Sequence, residues 1–120
     1  MATTATKTAR TLIASASLAV AGTASGSLDL RTTFGALVTV RVTNGGTGPT
    51  VAPTVTINVS TDNGTWRQYT AVQSNTGNSV VTDFVFDIPA TVMYVQVSIT
   101  GNTGQAVTVE ALAHEFTSFG

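Results

Sequence analysis

Leu37-Val38-Thr39-Val40-Arg41-Val42-Thr43, Thr54-Val55-Thr56-Ile57-Asn58-Val59-Ser60 and Val92-Met93-Tyr94-Val95-Gln96-Val97-Ser98-Ile99 alternate an aliphatic residue with a polar one over most of their length. Successive side chains of a strand point to opposite faces, so this period of two marks strands with one buried face and one wet face. Working outward from them, the same texture predicts strands near 12–20, 28–31, 36–43, 54–60, 65–73, 80–88, 91–99 and 105–116. The breaks between them are built from residues that tolerate positive φ or fix a turn, such as Asn44-Gly45-Gly46-Thr47-Gly48-Pro49, Thr61-Asp62-Asn63-Gly64, Pro89-Ala90 and Gly101-Asn102-Thr103-Gly104. Seven or eight short strands at that spacing, with no amphipathic helix, read as an all-β chain: one antiparallel β-sandwich of jelly-roll or Ig-like type.

With 120 residues the chain has the size of a single domain. The expected division is an extended N-terminal arm over residues 1–11, rich in Ala and Thr, and a sandwich over 12–120. Lys7 and Arg10 ahead of the run from Leu12 to Ala21 look like a short secretory signal, but Ser15 and Ser17 interrupt its apolar core. The alternative is a strand in which Leu12, Ala14, Ala16, Leu18 and Val20 share a face, and this reading keeps the segment in the protein. No run approaches the roughly 20 apolar residues of a membrane-spanning helix, so no membrane partner is expected.

Composition excludes several kinds of chemistry. Charged residues are 9% of the chain, against roughly 25% in an average soluble protein. Lys7, Arg10, Arg31, Arg41 and Arg67 are scattered singly, which gives no basic footprint for nucleic acid. A net charge of −1 does little to keep copies apart, so self-association is favoured. Without cysteine, and with His114 as the single histidine, there is no thiolate nucleophile and no two-histidine metal motif within one chain. No cofactor is expected.

The possible catalytic groupings are thin. Asp83 and Asp87 share a strand face and are the best local carboxylate pair for a glycosidase, but solvated outer residues explain them as well. Glu110 and His114 also share a face and lack a nucleophile to complete a triad. The glycine-rich Gly45–Pro49 loop has no Lys and leads to a strand instead of a helix, which removes a phosphate-loop reading. Asp62-Asn63-Gly64 carries only part of a calcium ladder and fits a hairpin tip.

That hairpin has two possible registers. A three-residue Asp62-Asn63-Gly64 loop with Gly64 left-handed sets Val59, Ile57 and Val55 against Arg67, Tyr69 and Ala71, leaving Trp66 on the outer or edge side. A two-residue Asn63-Gly64 turn buries Trp66 and puts Gln68 and Thr70 beside Val59 and Ile57. The first gives the more apolar inner face and is the expected one. An exposed Trp beside an Arg is a contact anchor for a protein or a sugar; the alternative is a Trp partly covered by a neighbouring loop.

Ser27-Leu28-Asp29-Leu30-Arg31-Thr32-Thr33-Phe34-Gly35-Ala36, the Val-Thr-Val-Arg-Val-Thr-Asn run from Val38 with its Gly-Thr-Gly-Pro-Thr loop, Ser60-Thr61-Asp62-Asn63-Gly64-Thr65-Trp66, and Tyr94-Val95-Gln96-Val97 leading to Thr100-Gly101-Asn102-Thr103-Gly104-Gln105 resemble small virion structural proteins of tailed bacteriophages. The resemblance implies capsid decoration or cement, or a neck or tail part, acting without catalysis as a symmetric homo-oligomer against major capsid or other virion proteins. It implies assembly in the host cytoplasm and residence in the virion. The residues expected to make the contacts are Thr3, Thr4, Lys7, Arg10, Leu12 and Ile13 of the arm, with Trp66, Arg67 and Tyr69 of the hairpin. The strand-turn-Trp piece also looks like carbohydrate-binding sandwiches, so a glycan is the alternative partner.

Overall fold

The computed structural model describes residues 5–119. Eight strands follow one another: β1 Ala5–Leu18, β2 Thr23–Asp29, β3 Ala36–Asn44, β4 Thr54–Ser60, β5 Arg67–Gln73, β6 Val81–Ile88, β7 Tyr94–Thr100 and β8 Val107–Phe119. They form two four-stranded antiparallel sheets, β1-β8-β3-β6 and β2-β7-β4-β5. Each hairpin partner in sequence lies in the opposite sheet except β4 and β5, and the first strand pairs with the last. That winding of two Greek keys is an eight-stranded jelly roll.

The alternation read in the sequence builds the core directly. Val38, Val40 and Val42 of β3, Val55 and Ile57 of β4, Val95, Val97 and Ile99 of β7, and Val107, Val109, Ala111 and Ala113 of β8 face inward and are buried together. Each buried Val or Ile contributes roughly 1.5–3 kcal/mol over its exposed state, so these central strands hold the two sheets together. Ile88 and Leu30 close one end. Asn102 ties the other: its Nδ2 donates to the carbonyls of Leu18 and Gln105, and its own carbonyl accepts the Ala21 N–H. Asn44 does the same for the loop before β6, donating to the carbonyls of Asn75 (2.7 Å) and Gly77 (2.8 Å).

The first strands depart from the expectation. Residues 5–11, expected as an extended arm lying on its own or a neighbouring subunit, are the first half of β1 and pair with residues 112–119 of the same chain. The pairing has three irregularities, between Thr6 and Lys7, between Thr11 and Ile13 and between Ile13 and Ala16, and the last two break the period of two around Ile13. Ile13 and Leu18 therefore point into the core, whereas Ala14 and Ala16 are exposed. The displaced backbone at Leu12 crosses towards β2, and an atom in the Cβ position of Gly26 would lie 2.0 Å from the Leu12 carbonyl oxygen. Gly26 thus lets β1 and β2 meet and seals one side of the sandwich. β2 starts at Thr23, ahead of the expected 28, because its inner face is made of the small residues Ala24 and Gly26 before Leu28.

The β4–β5 hairpin mixes the two registers. Val59 lies opposite Arg67 and Asn58 opposite Gln68, as the first register requires. A bulge at Tyr69 then sets Ile57 opposite Thr70 and Val55 opposite Val72. The extra residue turns Tyr69 out to solvent and brings Val72, larger than Ala71, against the core. Asn63 takes the left-handed conformation (φ 57°) that had been expected of Gly64.

Candidate interaction surfaces

The two outer faces differ in chemistry. The outer face of the β2-β7-β4-β5 sheet carries Ser25, Ser27, Thr54, Thr56, Asn58, Gln96 and Ser98, cross-linked by pairs such as Asn58 Nδ2 to Gln96 Oε1 (3.1 Å) and Thr23 with Thr100 (3.0 Å). It is neutral and hydroxyl-coated. The outer face of the β1-β8-β3-β6 sheet holds Lys7, Leu37, Arg41, Val81, Asp83, Val85, Asp87, Glu110, Leu112 and His114. Leu37, Val81 and Val85 are exposed there, Val85 by 64%.

The sequence-paired carboxylates lie on that face, and their surroundings separate them. Arg41 grips Asp83 with two hydrogen bonds, Nε to Oδ1 at 2.7 Å and Nη2 to Oδ2 at 3.0 Å. The Asp83 carboxyl is held below its usual range by the Arg41 hydrogen bonds, which keeps it ionised. Asp87, Glu110 and His114 make no ion pair among the described residues. No three or more His, Asp or Glu residues gather as a metal site among the described residues. No helix among them is long and apolar enough to cross a membrane.

Thr3 and Thr4 lie outside the described residues. Ile13 is in the core and Leu12 packs against it, so both serve their own subunit. Arg10 is half-exposed but donates from Nε to Glu115 Oε2 at 2.7 Å, and Glu115 is the one charged residue buried among the described residues. Glu115 continues the inward series of β8 beyond Ala113; the strand period could have placed it, but its partner lies 105 positions away. Lys7 is exposed on β1, with no ion pair among the described residues.

The hairpin residues gather at one end of the sandwich. Trp66 sits in the loop ahead of β5 and is half-buried; Arg67 is exposed and unpaired among the described residues, and Tyr69 is exposed by 49%. Asp62 organises the loop: it accepts from Ser60 Oγ (2.9 Å), Gly64 N (2.9 Å) and Thr65 N (2.8 Å). The Thr65 and Gly64 N–H groups, then the Ser60 hydroxyl, lower its carboxyl to about 2. A carboxylate so committed to backbone donors explains the partial calcium pattern without an ion. Beside it opens a cleft of about 420 Å³, lined by Ser60, Asp62, Thr65, Arg67, Val92 and Met93 among others. Trp66 and Tyr69 do not line it, so the aromatic platform expected from sequence and the cleft are separate features.

No protein-family model matches the chain, and no curated protein sequence matches it. Solved structures do share the fold. The PBSX exported protein XepA is similar with a TM-score of 0.64 at 17% identity, over 92% of this chain and 37% of that one. The VP2 subviral particle of infectious bursal disease virus follows with a TM-score of 0.58 at 15% identity, over 94% of this chain and 33% of VP2. The enzymatically active domain of bacteriophage CBA120 tailspike protein 4 gives 0.56 at 8% identity, over 92% of this chain and 19% of the tailspike chain. This chain therefore spans about a third or less of VP2 and the tailspike, and at these identities the likeness is one of fold.

Proposed function

We propose that the chain is a non-enzymatic structural protein of a bacteriophage virion, a capsid decoration or cement protein or a head-neck component that acts through contacts with copies of itself and with capsid proteins. The observation that carries this reading is a jelly roll, similar to a third of VP2 in its particle, whose outer β1-β8-β3-β6 face exposes Leu37, Val81 and Val85 among a few charged residues. The tailspike likeness and the resemblance at Ser27–Ala36 and Ser60–Trp66 support it from phage particles. A jelly roll also serves lectins, so fold alone does not carry a role. The test is quantitative mass spectrometry of particles purified from a host that encodes the chain. A fixed copy number per particle supports the role; absence from washed particles overturns it.

The second reading is a carbohydrate-binding module. It is favoured by the hydroxyl-rich cleft with the unpaired Arg67 at the hairpin end. Saturable quenching of the Trp66 fluorescence by a soluble glycan, abolished in Arg67→Ala, supports it; no response across a glycan array counts against it.

A further inference from the structure

Strand β6 sits at a sheet edge but has the composition of an interior strand. Val81-Thr82-Asp83-Phe84-Val85-Phe86-Asp87-Ile88 contains no Lys, Pro or Gly and pairs with β3 without a bulge, so the charges of Asp83 and Asp87 are what protects its free edge, and Asp83 is already held by Arg41. Its inner face is apolar, and its outer face alternates Val with Asp. Val81 and Val85 are 51% and 64% exposed on the outside, and Phe84 and Phe86, stacked at 6.2 Å on the inside, are only half-buried. The Leu12–Gly26 approach closes the middle of the β1 edge and leaves Lys7, Ala9 and Thr11, ahead of it in the strand, exposed.

The opposite edge of the same sheet is its complement. β1 runs antiparallel to β6, so a second copy set beside the first in the same orientation continues the antiparallel order, β1-β8-β3-β6 followed by β1 again. Through the ladder, Ala9 is level with His114, Leu37 and Asp87; a slide of two residues brings Lys7 beside Asp87, Ala9 beside Val85 and Thr11 beside Asp83. Lys7 and Asp87 are both unpaired among the described residues, opposite in charge and on the same outer face. Pairing β6 with β6 would instead crowd Asp83 and Asp87 of both copies into one seam, with no free cation on the strand to answer Asp87.

We propose that β6 is covered in the assembled protein by β1 of a second copy, in a heterologous head-to-tail contact with Lys7 on Asp87 and Ala9 against Val85. Repeated, this contact closes into a ring or extends as a chain of copies. It rests on the virion reading in that it names the self-contact by which the protein would assemble.

The chain has no cysteine, so engineered ones report cleanly. Ala9 and Val85 are both exposed and lie on opposite edges of one copy, and directly opposed strand residues come within about 4.5–5.5 Å between Cα atoms, which a disulfide can bridge. Ala9→Cys and Val85→Cys chains, mixed and oxidised, are expected to form a disulfide dimer at least about tenfold faster than either chain alone. In light scattering, Val85→Lys is expected to lower the oligomer mass to that of the monomer with its unfolding temperature unchanged, and Lys7→Glu to weaken assembly in a way that Asp87→Lys restores. Self-linking of Val85→Cys at the mixed rate, no mixed disulfide, or an unchanged mass in Val85→Lys would overturn the contact. If the chain is found in particles and the cysteines stay apart, the contact is wrong and the virion role stands. If the cysteines link and particles lack the chain, the contact stands and the virion role falls.

Discussion

Replacing Gly26 with Ala tests whether the close approach of β1 to β2 closes the sandwich. Gly26 is not among the residues with positive φ, so its backbone suits alanine. On backbone grounds alone the substitution is expected to stabilise by about 0.4–1 kcal/mol, through the lost freedom of the unfolded chain. The structure reverses that sign. The added Cβ would stand 2.0 Å from the Leu12 carbonyl oxygen and 2.6 Å from its carbon, short of ordinary contact by about 1.4 Å (3.4 Å against 2.0 Å). The obstacle is backbone and cannot rotate away, so β1 must lift from β2, and Ile13, 8% exposed, loses cover. Overpacking costs about 1–3 kcal/mol, and the fixed obstacle puts this case at about 3. For a domain of this size, roughly 4 °C per kcal/mol gives a fall of about 12 °C in Tm. Thermal unfolding followed by circular dichroism measures it, with Gly46→Ala, which meets nothing within 4 Å, as the neutral control. A Gly26→Ala chain that melts at or above the wild-type temperature would refute the approach of the two strands.

Three further outcomes follow from the polar groups. Arg10→Met leaves the Glu115 carboxylate buried without its partner and is expected to cost about 3 kcal/mol in urea unfolding, most of it recovered by adding Glu115→Leu. Asn44→Ala orphans the carbonyls of Asn75 and Gly77 and is expected to cost about 2 kcal/mol by the same measurement; a loss under about 0.5 kcal/mol would show that water replaces the amide. The carboxyls of Asp29 and Asp62 are lowered to about 2, by the Arg31 side-chain hydrogen bonds and by the Thr65 and Gly64 N–H groups, and that of Asp83 is lowered by Arg41. Folded values below the unfolded one of about 3.9 mean stability that is complete above that pH and lost as pH falls towards 2. A Tm flat from neutral to about pH 5 and falling below about 4, with a shallower fall in Asp62→Asn, is the expected profile; a Tm that rises on acidification through that window contradicts the hydrogen bonds.

The parts of the fold legible in the sequence are those where the strand period runs unbroken. Val38, Val40 and Val42, or Val95, Val97 and Ile99, announce their inward face because nothing interrupts the alternation. β1 was misread because the irregularities on either side of Ile13 shift Ile13 inward and Ala14 and Ala16 out, and a bulge has no local sequence mark when the residues are Ala and Ser. The β2 start was hidden by the small Ala24 and Gly26, whose role is defined only by Leu12 across the sandwich. At the hairpin, the loop chemistry correctly opposed Val59 to Arg67, but core volume, through Val72, set the bulge at Tyr69. Of the expected contact residues, Lys7, Arg67 and Tyr69 are exposed, whereas Arg10, Leu12 and Ile13 are held by partners far along the chain.

The last strand lies between the first and the third, with Ala5 opposite Phe119. On the ribosome, β1 waits without a strand partner until β8 has emerged, so the β1-β8-β3-β6 sheet cannot be completed before then. Such long-range closure makes folding slow and late, and a nonsense codon anywhere in β8 strands two other strands at once. The newly made chain passes through a stage with open strand edges, in which chaperone supply and expression temperature decide how much of it reaches the finished form.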